Sequence, residues 1–230
     1  MFTPPPATLP LPQAIGPYGV LVFIGILISA IYWIRSSRGD HRLFIVYAGA
    51  LGGAFIGAKL AFILAEGWLL LDEPNWWQYW LIGKSITGAL LGGFAGVEAA
   101  KKLIDYTEPT GDRFALIIPL GIAAGRVGCL TAGCCPGILL SSGSHWPAVP
   151  VELGFNLVLW VILFSVRHRP WAKNQLFHIF LIAYGTFRFF HEFLRATPKI
   201  LGPVSGYQVI ALCIAIVGII AFRRRRNHTA

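Results

Sequence analysis

Residues 117–135 read IIPLGIAAGRVGCLTAGCC, an apolar run whose single charge is Arg126. A second run, residues 176–195, reads LFHIFLIAYGTFRFFHEFLR and carries Arg188 with Glu192 four positions on. Both are about as long as the roughly 20 residues a helix needs to cross a bilayer core. A charge at membrane depth costs at least about 2.5–3.5 kcal/mol, so it faces a polar cavity, finds a counter-charge or holds a substrate. The two runs set the fold class and mark the arginines as the first functional candidates.

Outward from these runs the same composition recurs. Of 230 residues 56% are hydrophobic and 13% charged, and apolar stretches follow one another along the whole chain. This pattern predicts an all-α polytopic membrane protein. A net charge of +9 would suggest a nucleic-acid partner in a soluble chain. Here the basic residues sit in short loops, where they report topology, and no nucleic acid is expected.

Seven spans are predicted, at 17–34, 43–65, 81–99, 114–135, 151–166, 176–194 and 205–222. Arg35, Arg38 and Arg42 follow the first, Lys101, Lys102 and Arg113 the third, Arg167, Arg169 and Lys173 the fifth, and Arg223 to Arg226 the seventh. By the positive-inside rule these four segments are cytoplasmic, the N-terminus is outside and the C-terminus inside. Trp68, Trp76, Trp77, Tyr79, Trp80 and Trp146 crowd the opposite loops as an outer aromatic belt would. The expected organisation is a Pro-rich outer tail over 1–16 without the basic region of a signal peptide, one transmembrane domain over 17–222, and a basic cytoplasmic tail over 223–230.

On this topology the polar residues gather in one leaflet. Tyr18, Lys84, Ser85, Thr87 and Gln208 lie near the starts of inward-running spans; Lys59, Arg126, Arg188 and Glu192 come late in outward-running ones. Arg126 lies roughly 18 Å up from the cytoplasmic boundary at 1.5 Å per residue. The expectation is a single polar cavity in the outer leaflet. Plainer readings compete with it: Lys59 and Lys84 snorkelling to headgroups, and Arg188 with Glu192 forming an ion pair that serves only the fold. Glycines in GALGGAFIGAKL (49–60) and GALLGGFAGVEA (88–99) predict close helix packing; the likeness of the two segments is also compatible with an inverted repeat. Cys129, Cys134 and Cys135 match no common zinc spacing, so no metal is expected; buried thiols, a disulfide or a reactive thiol remain open.

The motifs resemble, in order, those of the prolipoprotein diacylglyceryl transferase family. GRVGCLTAGCCPG, preceded by IPLG, is similar to its GRxGN signature, which continues to a glycine, an acidic residue and another glycine. Pro17-Tyr18-Gly19 resembles the tyrosine-glycine of its first span, GAKL (57–60) its GARL, and GKSITGALLGG (83–93) its GGxSxHGGLxG. NQL (174–176) is similar to its GQL, YGTFRFFHEFLR (184–195) to its YGxxRFxxEFxR, and Gln208 to the glutamine opening its last span. The resemblance covers about residues 15 to 220.

It implies a bacterial inner-membrane enzyme that moves the diacylglyceryl group of phosphatidylglycerol onto the lipobox cysteine thiol of a prolipoprotein, releasing glycerol phosphate, with no cofactor. Arg126, Arg188 and Glu192 match the family's functional positions, and Tyr18 and Gly137 match other site positions. Lys59, Ser85, Thr87 and Gln208 are expected to join these in lining the substrate cavity. The departing phosphate needs its charge stabilised, which arginine does by bidentate hydrogen bonding. Four positions depart from the pattern: Thr87 stands where the family has histidine, Cys129 where it has asparagine, Cys134 where it has an acid and Tyr207 where it has glycine. Threonine takes no proton near neutral pH, so the acceptor thiol is activated by the arginines alone, or by His191, or the chain is a paralogue with another acceptor. The rival readings are a non-enzymatic carrier of anionic lipid or anions using the same cationic cavity, and a thiol redox protein built on Cys129 and Cys134.

Overall fold

The computed structural model describes residues 17–37 and 39–229. Regular structure there is helical: α1 (Pro17–Ser36), α2 (Arg42–Ala65), α3 (Trp76–Ile82), α4 (Ile86–Leu103), α5 (Gly111–Ala132), α6 (Ala148–Val166), α7 (Leu176–His191) and α8 (Gly206–Thr229). Short 3-10 turns, Gly67–Leu70 and Glu192–Leu194, follow α2 and α7. The expected outer tail, 1–16, lies outside the described residues.

Five helices are long and apolar enough to cross a membrane, and α3 with α4 makes a sixth candidate if that bent pair is one span. The protein is a multi-pass membrane protein. Large apolar side chains on the outer faces agree: Phe23, Phe55, Leu64 and Val158 are 60–70% exposed, as a hydrocarbon solvent favours. Two expected spans need correction. The third does not run from 81 to 99, because the chain bends by 56° between α3 and α4. Ser85 caps α4, its Oγ accepting from Gly88 N at 3.3 Å, and a cap fixes where a helix starts. The sixth, α7, has 16 residues, roughly 24 Å against a core of about 30 Å, and tightens into a 3-10 turn at Glu192. The last helix, α8, continues without a break to Thr229, through the basic segment expected as the cytoplasmic tail.

Helices α2 and α4 pack with backbone against backbone. A Cβ added at Gly53 would lie 2.3 Å from Gly92 O, one at Gly57 2.3 Å from Gly88 O, and one at Gly96 2.2 Å from Gly49 O. The pairing falls along one chain as it rises along the other, so the helices are antiparallel, and the likeness of the two segments is that of two stripes that must fit each other. Gly92→Leu is expected to remove most folded protein, since even its first carbon clashes with backbone that cannot step aside. Size-exclusion chromatography in detergent checks this, with Gly154→Ala as control because a Cβ there meets nothing within 4 Å.

Helix α5 runs through the middle, against α1 and α6. Trp33 of α1 donates to Leu43 O at 2.8 Å and stacks near Phe114 of α5, ring centroids 4.4 Å apart. Pro119 inside α5 removes one rung of the helix ladder, and Trp160 of α6 donates to the nearby Leu116 O at 3.1 Å. These contacts fix α5, and with it Arg126, relative to α6.

Candidate functional site

Arg126 on α5 and Arg188 on α7 meet over a residue that sequence reasoning missed, Glu152 of α6. Its side chain is fully buried. Arg126 Nη2 lies 3.0 Å from Oε1 and 2.9 Å from Oε2. Arg188 Nη1 donates to Oε2 at 3.1 Å, Arg195 Nη1 reaches it at 3.5 Å, and Tyr184 Oη donates to Oε1 at 2.8 Å. Glu192 supplies the second carboxylate, with Oε2 2.8 Å from Arg188 Nη2 and 3.6 Å from Arg195 Nε. Glu192 is held in turn by Thr197, which donates to Oε1 at 2.7 Å, and by Lys199, whose Nζ donates to its main-chain oxygen at 2.6 Å. Burying this many charges is tolerable only because each carboxylate faces more than one guanidinium.

Three guanidiniums against two carboxylates leave one positive charge in the cluster. The Nε atoms of Arg126, Arg188 and Arg195 are buried, with no hydrogen-bond partner among the described residues. Buried donors without acceptors are rare in folded proteins. Here they belong to arginines that line a cavity of about 760 Å³, a volume in the range of small-molecule sites. The cavity follows α5 from Gly111 to Cys129 and beyond, roughly 27 Å at 1.5 Å per residue. Its middle is apolar, with Leu51, Ala54, Leu90 and Ile122 in the wall; the arginines close one end, and Glu98, Lys101 and Arg225 stand at the other. The apolar stretch that ends at the three arginines suits an anionic phospholipid, with its headgroup against the guanidiniums.

The remaining expected site residues divide. Ser85 lines the cavity; Thr87 lies behind that wall, 1% exposed, its hydroxyl 2.8 Å from that of Ser85. Lys59 points elsewhere: its Nζ donates to the main-chain oxygens of Trp80 (2.8 Å), Leu81 and Gly83 (2.9 Å), and so closes the end of α3. A cation is favoured there by the helix dipole. Gln208 is fully buried and committed at both ends of its amide, Oε1 accepting from Ser205 N at 2.7 Å and Nε2 donating to Phe189 O at 3.2 Å. It starts α8 and ties it to α7 without lining the cavity. Gly137 lies in the loop after α5, paired with Arg195 across an isolated bridge; a Cβ there would sit 2.3 Å from Trp146 O. It lets the loop close over the arginines. The side chain of Tyr18 lies outside the described ones.

His191 is buried against Phe187, ring centroids 4.9 Å apart, and its Nε2 accepts from Trp146 at 3.4 Å; it does not line the cavity. Tyr207 does, donating to Glu66 at 2.7 Å. Glu66, just past the end of α2, is pushed above the usual carboxylate range by burial, with the Tyr207 bond opposing. The cysteines come together: Gly133, at φ 61°, ends α5 in a left-handed turn, and Cys134 N donates back to Cys129 O at 3.2 Å. Cys129, Cys134 and Cys135 are free thiols that all reach the cavity.

Glu152 had a signal in the sequence. A buried arginine needs a counter-charge, and VPVELGFNLVLW holds an acid inside an otherwise apolar span. Arg195 had less, standing just past the end of a span where a loop residue is the simpler reading.

Compared with known proteins, the sequence is similar along nearly its whole length to one family. The model of a family described as prolipoprotein diacylglyceryl transferase matches residues 6–224. The phosphatidylglycerol–prolipoprotein diacylglyceryl transferase of Clostridium tetani is 27% identical, covering 89% of this chain and 91% of its own. That of Cupriavidus metallidurans is 28% identical, over 95% and 93%, and transferase 2 of Clostridium perfringens is 27% identical, over 89% of each. No solved structure matches the chain. With nearly its whole length matched, this chain belongs to the prolipoprotein diacylglyceryl transferase family.

Proposed function

We propose that the chain transfers the diacylglyceryl group of phosphatidylglycerol to the cysteine thiol of a prolipoprotein. The observation that carries this reading is the group of three arginines, Arg126, Arg188 and Arg195, that line one end of a long apolar groove. Phosphatidylglycerol places its phosphodiester beside these guanidiniums and its acyl chains along the apolar wall. As the glyceryl carbon is attacked, negative charge grows on the departing phosphate oxygen. Arg126 and Arg188 stabilise it, with Arg195 beside them, and Glu152 and Glu192 hold the guanidiniums in place beforehand.

The loop charges support seven spans, with α7 and its 3-10 turn as the sixth, in a bacterial inner membrane with the N-terminus outside and the arginines in the outer leaflet. A reporter active only outside the cytoplasm is expected to be silent after Ala230 and active near Asn75; the reverse pattern would move the site to the inner leaflet. A carrier made of inverted repeats loses its support in the sequence, because the two similar segments pack against each other. The direct test uses the purified chain in phosphatidylglycerol vesicles with a prolipoprotein peptide. Glycerol phosphate is expected only when the peptide carries its cysteine; release with a serine peptide at the same rate would point to hydrolysis.

A further inference from the structure

Among the described residues no histidine lines the arginine end of the cavity. The family histidine is replaced by Thr87, buried behind Ser85, and His191 does not line the cavity. What the chain has at this end instead is sulfur. The Sγ atoms of Cys129, Cys134 and Cys135 all lie within 4.8 Å of one another. The turn that gathers them is unusual: Cys135 takes a positive φ of 63°, a region that glycine and asparagine occupy more readily than a residue with any other side chain. Arg126 Nη1 lies 3.7 Å from Cys129 Sγ, so a cation adjoins the cluster.

We infer that Cys129, Cys134 and Cys135 bind one zinc ion through three thiolates, leaving its fourth position open to the cavity, and that the acceptor thiol binds there. This rests on the transferase reading above. Sulfurs about 2.3 Å from a tetrahedral ion sit roughly 3.8 Å apart, so closing on zinc takes only small side-chain rotations from the present spacing. The sequence spacing hides the site, since adjacent cysteines rarely serve one ion; the left-handed turn at Gly133 and Cys135 brings the third sulfur round. An all-sulfur donor set selects zinc or another thiophilic ion over magnesium or calcium.

The chemistry follows from the open position. The acceptor's S–H loses its proton to water as sulfur binds, because a thiol on zinc is deprotonated. The bound sulfur's lone pair attacks the glyceryl carbon of phosphatidylglycerol, forming the C–S bond. The C–O bond to phosphate breaks, and its electron pair leaves on the phosphate oxygen, beside Arg126 and Arg188. The thioether formed is a weaker ligand than a thiolate, so the product dissociates and water takes the fourth position. No oxidant or reductant enters.

The test uses the full-length protein, purified in detergent with its thiols reduced and kept from air, with Co2+ as the spectroscopic probe and Zn2+ as competitor. One Co2+ per chain is expected, with thiolate-to-cobalt charge-transfer absorption that Zn2+ abolishes. Cys134→Ser and Cys135→Ser are expected to weaken binding at least about tenfold; Cys213→Ser, at an exposed position elsewhere, is expected to leave it unchanged. A prolipoprotein peptide with its cysteine should shift the cobalt ligand-field bands, and the serine peptide should not. Gel filtration of each variant separates loss of the site from loss of the fold, and Cys135→Ala repeats the test where serine disturbs the turn. Metal content far below one per chain, binding equal in all the variants, or a disulfide among the three sulfurs that blocks uptake would overturn the site. A cobalt spectrum indifferent to the cysteine peptide would overturn the open position. Absence of lipidation by a chain that binds Co2+ and responds to the cysteine peptide would sink the transferase reading and leave the metal site standing.

Discussion

Glu152→Ala is expected to destabilise the protein by about 3–5 kcal/mol, the usual consequence of leaving buried charges without their partner. Here three guanidiniums, all less than 10% exposed, would lose their shared counter-charge together. They would either repel one another or draw water into the bundle between α5, α6 and α7. Thermal unfolding in detergent should show a melting temperature lowered by well over 5 °C. Glu152→Gln is expected to fall between, because an amide keeps the Tyr184 contact and loses the charge. An unchanged melting temperature in Glu152→Ala would mean that the arginines are neutralised by something other than Glu152.

Arg126→Lys and Arg188→Lys are expected to lower the transferase rate by at least about 10²-fold each, the scale of removing one transition-state donor, with smaller losses of stability. Lysine keeps the charge, and its single ammonium cannot reach two acceptors in one plane as guanidinium does. Each arginine uses its outer nitrogens on the carboxylates while its side chain lines the cavity, so the planar fork holds the charge in a fixed place beside the substrate. Glu192→Gln is expected to be milder, since Arg188 also holds Glu152. Rates near normal in both lysine variants, at normal expression, would make the arginines purely structural.

Most of the helices were legible in hydropathy, because a membrane span must satisfy its own backbone and show hydrocarbon an apolar face. Breaks and short helices were less so. The bend between α3 and α4 depends on Ser85 as a cap and on Lys59 reaching across from α2, and that reach has no signature in either segment alone. Depth along a span does not separate a side chain that lines a cavity from one that closes a helix. Ser85 and Gln208 lie at similar expected depth; one lines the cavity and the other secures the turn before α8. The ion-pair centre was half visible. Arg188 and Glu192 are neighbours on one helix, whereas the partner of Arg126 is 26 residues away on α6, a distance that only tertiary packing closes. The cysteine cluster was hidden for the opposite reason, in that a local backbone turn overrides what the spacing suggests.

This chain is expected to lipidate prolipoprotein in living cells. The most direct test is to express the chain in bacterial cells depleted of their own diacylglyceryl transferase and to weigh a prolipoprotein by mass spectrometry. A prolipoprotein heavier by one diacylglyceryl group on its lipobox cysteine is expected, and no such increase when Arg126 is replaced. An unmodified prolipoprotein, with the chain present and folded in the membrane, would contradict that expectation.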